Sequence, residues 1–204
     1  MKNLFAMLAM VLFGTCAFAL NAPEKDACAA QRADFEKNVA GQANDSFIAQ
    51  NILINMADSL ENMTDEQAFE QAACYATFRV KGTPLTQFVR AHADIFPGDI
   101  SGKEAAKLRA FAARVEKLGT QAQLNQVAAQ GNTSHLVQFI LINLADPMAT
   151  MSDEEAAPLA RAYQGCTVNG RPMLEFVRVH ASEFAGNVPQ ELDAFVERVN
   201  RLAQ

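Results

Sequence analysis

The chain is written twice. Val39–Gly98 aligns without a gap on Val127–Gly186, 88 residues further on, and 28 of those 60 positions hold the same residue. The match resumes in the last helices, FAARVEKL from Phe111 against FVERVNRL from Phe195, after four residues are lost from the second copy. Identity at that density marks a duplication, and a repeat constrains a fold more than any local propensity does, because one pattern has to build both halves. Each copy therefore annotates the other.

Read together, the copies give helices. Thr64-Asp65-Glu66-Gln67 and Ser152-Asp153-Glu154-Glu155 are capping boxes, each opening a helix. Asp146-Pro147 reads as an N-cap followed by a first-turn proline, so a break is expected after LINLAD and, by the alignment, near Asp58 after LINMAD. Lys81-Gly82-Thr83-Pro84 and Asn169-Gly170-Arg171-Pro172 are turns that lead into helices, with a tiny hairpin as the alternative. No longer run alternates with period two, so no extended sheet is expected. The expectation is an all-α protein, a tandem duplication of a five-helix unit with about ten helices and an approximate internal two-fold repeat. The helices fall near 26–41, 46–57, 65–78, 84–96, 102–118, 120–130, 134–145, 153–165, 172–184 and 189–203. Pro158 should kink its helix or delay its start. Residues 20–119 form one repeat and 120–204 the other, with the boundary at Gly119.

Three polar types recur on faces that should meet core. Around FVRAHA (Phe88–Ala93), Leu85, Phe88, Val89 and Phe96 make one apolar stripe, and His92 falls in its middle; Met173, Phe176, Val177, His180 and Phe184 repeat this. Asn55 and Asn143 interrupt a helix that is apolar nearly all round, and Tyr75 and Tyr163, the only tyrosines, are mutual equivalents. A buried polar group needs a partner. Asn, Tyr and His of one copy can satisfy one another between helices, or Asn55, Tyr75, His92, Asn143, Tyr163 and His180 can anchor a ligand in a cavity. A buried imidazole could also sense pH. Arg90 and Arg178 leave the stripe, either as solvated flanks or as a doubled contact for an anion or partner.

Enzymatic signatures are missing. There is no HxxxH, HExxH or Cys/His cluster for a metal, no GxSxG, no P-loop and no dinucleotide fingerprint. No metal and no cofactor is expected. His135 replaces Phe47 in the second copy only. Halves that kept the same residues argue against a single active site, which needs unlike ones.

The address is legible at the start. Lys2, the apolar run Leu4–Phe18 and Ala17-Phe18-Ala19 form a secretory signal, with cleavage expected after Ala19. Thr15 before Cys16 and the apolar residues after it disfavour a lipid anchor, and no other segment could span a bilayer. The full chain carries −6, so losing Lys2 leaves −7, which argues against nucleic acid and anionic membrane surfaces as partners. Of the three cysteines left, Cys28 and Cys74 are the expected bridge, with buried thiols as the alternative. Three sequons, at Asn44, Asn62 and Asn132, are accounted for by helix capping. The expectation is a secreted or periplasmic, non-enzymatic helical module that binds a partner protein or small ligand. The alternative is a hydrolytic or metal-dependent enzyme using His92 or His180.

Overall fold

The computed structural model describes residues 22–94 and 102–204. The signal segment and Phe96 lie outside the described residues. The described chain is all-α apart from two short strand pairs, and it forms two compact units that meet in sequence between Ala122 and Gln123. Each unit has its own apolar core.

In the first unit, α1 (Ala22–Phe35) continues as a π-helical turn, Glu36–Ala40. Then come α2 (Asp45–Ile52), a π segment Leu53–Ala57, α3 (Asp58–Glu61) and α4 (Asp65–Tyr75). Strands β1 (Arg79–Val80) and β2 (Thr83–Pro84) pair antiparallel ahead of α5 (Leu85–His92). Helix α6 (Lys103–Ala128) follows. The second unit has α7 (Thr133–Ile140), a π segment Leu141–Ala145, α8 (Asp146–Thr150) and α9 (Asp153–Gln164). Strands β3 (Thr167–Val168) and β4 (Arg171–Pro172) precede α10 (Met173–Ala181) and α11 (Val188–Leu202).

Local chemistry explains most of these limits. Both capping boxes form in full, Thr64 with Gln67 and Ser152 with Glu155. Asn44 caps α2 and Asn132 caps α7 through their side-chain oxygens. The hairpins are real, and tight: Lys81 and Asn169 sit at φ 51° and 50°, followed by Gly82 and Gly170 at 82° and 79°. Two successive left-handed residues make the turn that fits strand twist. Each hairpin hands its chain to a helix, through Leu85 N–H donating to Phe78 O and Met173 N–H donating to Cys166 O, both 2.9 Å.

Three expectations need correction. The break after LINMAD and LINLAD does not occur. Asp58 and Asp146 have helical dihedrals and cap nothing; the helix runs on and widens to π pitch over Leu53–Ala57 and Leu141–Ala145. Pro147 follows this wide turn in the second unit, but the first unit makes the same turn ahead of Ser59, so proline is not its cause. Pro158 does not delay α9, which opens at Asp153 on its capping box.

The two helices expected on either side of Gly119 are one. Helix α6 supplies Leu108, Val115 and Leu118 to the first core and Leu124 and Val127 to the second. Gly119 is there for close approach: a Cβ on it would stand 2.5 Å from Ala76 Cβ. Glycine to alanine inside a helix normally stabilises by about 1 kcal/mol. Here we expect Gly119→Ala to destabilise by about 1–3 kcal/mol, the usual range for overpacking. Chemical denaturation of a cycle with Ala76→Gly checks the cause, since the glycine at 76 should restore the loss. A stabilised single variant would refute the close contact.

Candidate functional site

In the first unit the polar residues expected to gather bond elsewhere: Asn55, Tyr75 and His92 each hydrogen-bond to a group outside the trio. Asn55 is exposed, and its Nδ2 donates to Asn51 O at 3.2 Å; Asn143 does the same to Phe139 O at 2.9 Å. Both bonds reach the carbonyl four residues back, where the ladder changes from α to π spacing and a carbonyl needs another donor. The asparagines therefore serve the wide turn. The helix they interrupt is apolar nearly all round but not buried all round, because its outer side holds Ile54 and Ile142 in water, 55% and 52% exposed.

The histidines lie at the edge of their stripe rather than its centre. The His92 ring stacks back on Phe88 with centroids 4.1 Å apart, and its Nδ1 donates to Phe88 O at 2.8 Å. Its Nε2 stands 3.5 Å from Asp45 Oδ2, and the side chain remains 27% exposed. An i,i+4 aromatic neighbour draws the imidazole toward its own helix, so it turns outward along α5 instead of into the core. Asp45 also takes Lys81 Nζ at 2.7 Å, so α2, the hairpin and α5 meet at one carboxylate. The Lys81 hydrogen bond is the largest influence holding the Asp45 carboxyl below its ordinary range, and His92 adds to it. His180 leans on Phe176 at 4.6 Å, and its Nδ1 lies 2.7 Å from Glu183 Oε1. Position 133, where Asp45 would recur, is Thr133.

The two tyrosines are the buried members, Tyr75 at 1% and Tyr163 at 6% exposure. The Tyr75 hydroxyl accepts from Gln71 Nε2 at 2.6 Å and Gln31 Nε2 at 3.4 Å, and its ring meets Phe78 edge-on at 5.5 Å. Tyr163 packs on Phe195 at 6.1 Å. Beside Tyr75, Cys28 and Cys74 are joined, tying α1 to α4; Cys166 is a buried free thiol. Among the described residues no group of three His, Cys, Asp or Glu side chains could hold a metal ion.

The arginines differ between the units. Arg90 makes a bidentate pair with Glu116 of α6, whose side chain is only 10% exposed. Arg178 is exposed and has no hydrogen bond or ion pair among the described residues.

A second arginine pair went unnoticed in the sequence and proves central. Arg114 donates to Leu60 O, to Met63 O at 2.6 Å and to Asp65 Oδ1 at 3.2 Å. Arg198 donates to Met148 O, to Met151 O at 2.7 Å and to Asp153 Oδ1 at 2.9 Å. Each guanidinium closes the end of one helix and pairs with the first residue of the next. The signal was present: Arg is shared by FAARVEKL and FVERVNRL. Lys117 and Arg201 add second cations to Asp65 and Asp153, at 2.8 and 2.6 Å. These are the leading influences that hold the two carboxyls below the usual value of 3.8.

A carboxyl lowered in the folded state stabilises the fold fully above its unfolded pKa, and that contribution fades as pH falls through the folded value. The melting temperature should thus hold from neutral pH down to about 4–5 and drop below that, where Asp65 and Asp153 protonate. Asp65→Asn with Asp153→Asn should lower the plateau and flatten the acid limb in melts recorded from pH 7 downward. An acid limb of unchanged steepness would remove these carboxylates from the explanation.

No protein-family model matches the chain, and no curated protein or solved structure matches it either. Function must be argued from the residues alone.

Proposed function

We propose that the protein is an exported, non-enzymatic helical module, a tandem duplication whose halves bind a partner protein or small ligand. The observation that carries this reading is the pair of isoleucines at Ile54 and Ile142. Both are more than half exposed, while their neighbours Ile52, Met56 and Leu144 are buried. Burial of a side chain this size is worth about 1.5–3 kcal/mol, so leaving it in water forgoes a large gain. Both stand on π-helical turns, which are rare and frequent at functional sites. Export is supported by the Cys28–Cys74 bridge, which suits an oxidising compartment, and by the apolar run at the start. Among the described residues no helix is long and apolar enough to cross a membrane. The imidazoles that an enzyme would use are engaged by Phe88 O, Asp45 and Glu183.

A photo-crosslinking residue placed at Ile54 or Ile142 in the source cell should yield a discrete adduct, and one placed at exposed Glu154 should not. Equal labelling at all three positions, or none at any, would count against a binding face there.

A further inference from the structure

We propose that Arg178 and Asn200 form an open seat for a carboxylate supplied by an acidic peptide segment of a partner, resting on the reading of the chain as a binding module. The first unit shows what this helix face is shaped to hold. There Arg90 grips both oxygens of Glu116, and that carboxylate is almost wholly covered. Arg178 is the residue 88 positions after Arg90. The register of α11 is set by Arg198, which makes the same carbonyl bonds as Arg114, 84 positions earlier. Counting 84 from Glu116 gives Asn200, and α10 packs along α11. The second unit therefore presents the arginine and lacks the carboxylate.

Asparagine is one methylene shorter than glutamate and carries no charge. Arg178 is exposed and Asn200 half-buried, and neither has a hydrogen-bond or ion-pair partner among the described residues. A planar guanidinium offers only donors, and an amide NH2 on the helix packed against its own adds at least one more. That set matches a carboxylate, which accepts bidentately from arginine. Asp193 and Glu197 lie on the same helix, within two turns of Asn200, and neither pairs with Arg178. Their charge opposes a bare anion, so an occupant has to bring something besides its carboxylate. Val179, next to Arg178 and 52% exposed, offers an apolar contact to a neighbouring side chain. An acidic residue flanked by aliphatic ones meets all of these conditions.

The test follows the Arg178 Nε–H signal by NMR in the mature protein while adding acetyl-Leu-Glu-Leu-amide, the same peptide with Gln, or sodium acetate. The Glu peptide should shift this signal saturably, with Arg90 unmoved, and the Gln peptide should bind about tenfold more weakly, for want of a charge-assisted pair. Asn200→Glu should abolish the response by closing the seat from within, and in Arg178→Gln the peptide's other shifts should vanish. Three results overturn the proposal: no saturable shift, peptide shifts that survive both substitutions, or acetate binding as tightly as the Glu peptide, which would mean a seat for free anions. Adducts at Ile54 and Ile142 with a silent Arg178 would sink the seat alone; loss of both would sink the module as well.

Discussion

Arg114→Ala should lower the unfolding free energy of the first unit by about 2–4 kcal/mol, and Arg198→Ala should do the same to the second. Each guanidinium is mostly covered, 20% and 18% exposed, so its bonds are not diluted by water. Hydrogen bonds to a charged group are worth about 1.5–3 kcal/mol each. The carbonyls lose only part of their satisfaction, since Leu60 O also accepts from Met63 N–H at 3.1 Å and Met148 O from Met151 N–H at 3.3 Å. The ion pair adds the smaller, pH-dependent share, because Asp65 and Asp153 are about half exposed. Lysine should not rescue, as one ammonium cannot span two carbonyls and a carboxylate in the plane that a guanidinium matches. Arg201→Ala is the contrast: at 59% exposure its removal should leave the stability almost unchanged. Urea denaturation of these variants decides the matter, and a loss below 1 kcal/mol on removing Arg114 would show that the clasp is incidental.

Breaking the bridge with Cys28→Ser and Cys74→Ser should cost the first unit about 2–4 kcal/mol. The bond closes a loop of 46 residues, for which chain entropy alone predicts about 4 kcal/mol. The unit has little else to hold its first helix. From Cys28 to Ala40 only Phe35 and Ala40 are buried, Cys28 and Val39 are half-buried against the core, and the others are exposed, with Gln31 reaching Tyr75 as a polar tie. Hydrogen exchange should therefore show amides of Cys28–Ala40 losing protection before the rest of the unit. Dithiothreitol should reproduce the double variant, since the other thiol, Cys166, is buried and donates to Ala162 O at 3.4 Å. Equal stability in oxidised and reduced protein would mean that α1 is held by contacts other than these.

The candidate site was legible in parts. His92 and His180 stood out because both copies keep them, yet helical spacing alone placed them mid-stripe. A wheel gives the direction of a Cβ, not the choice of a ring to stack on Phe88 and turn toward Asp45 on another helix. Asn55 and Asn143 looked like core breaks because nothing in the sequence announces a change from α to π pitch. Arg114 and Arg198 sat in plain view within a repeated motif, and their partners lie about fifty residues away.

What the sequence determined by itself is what depends on neighbours along the chain. Capping boxes, helical periodicity and tight-turn residues act over three or four positions, and the duplication allowed each to be read twice. Tertiary structure decided where a side chain meets something distant: the Arg clasps, the seat of Glu116 on Arg90, and the close approach that makes Gly119 part of a continuous helix instead of its end. Those contacts arise only when packed helices bring separate stretches within hydrogen-bond or van der Waals reach. No pattern along one strand of sequence encodes that distance.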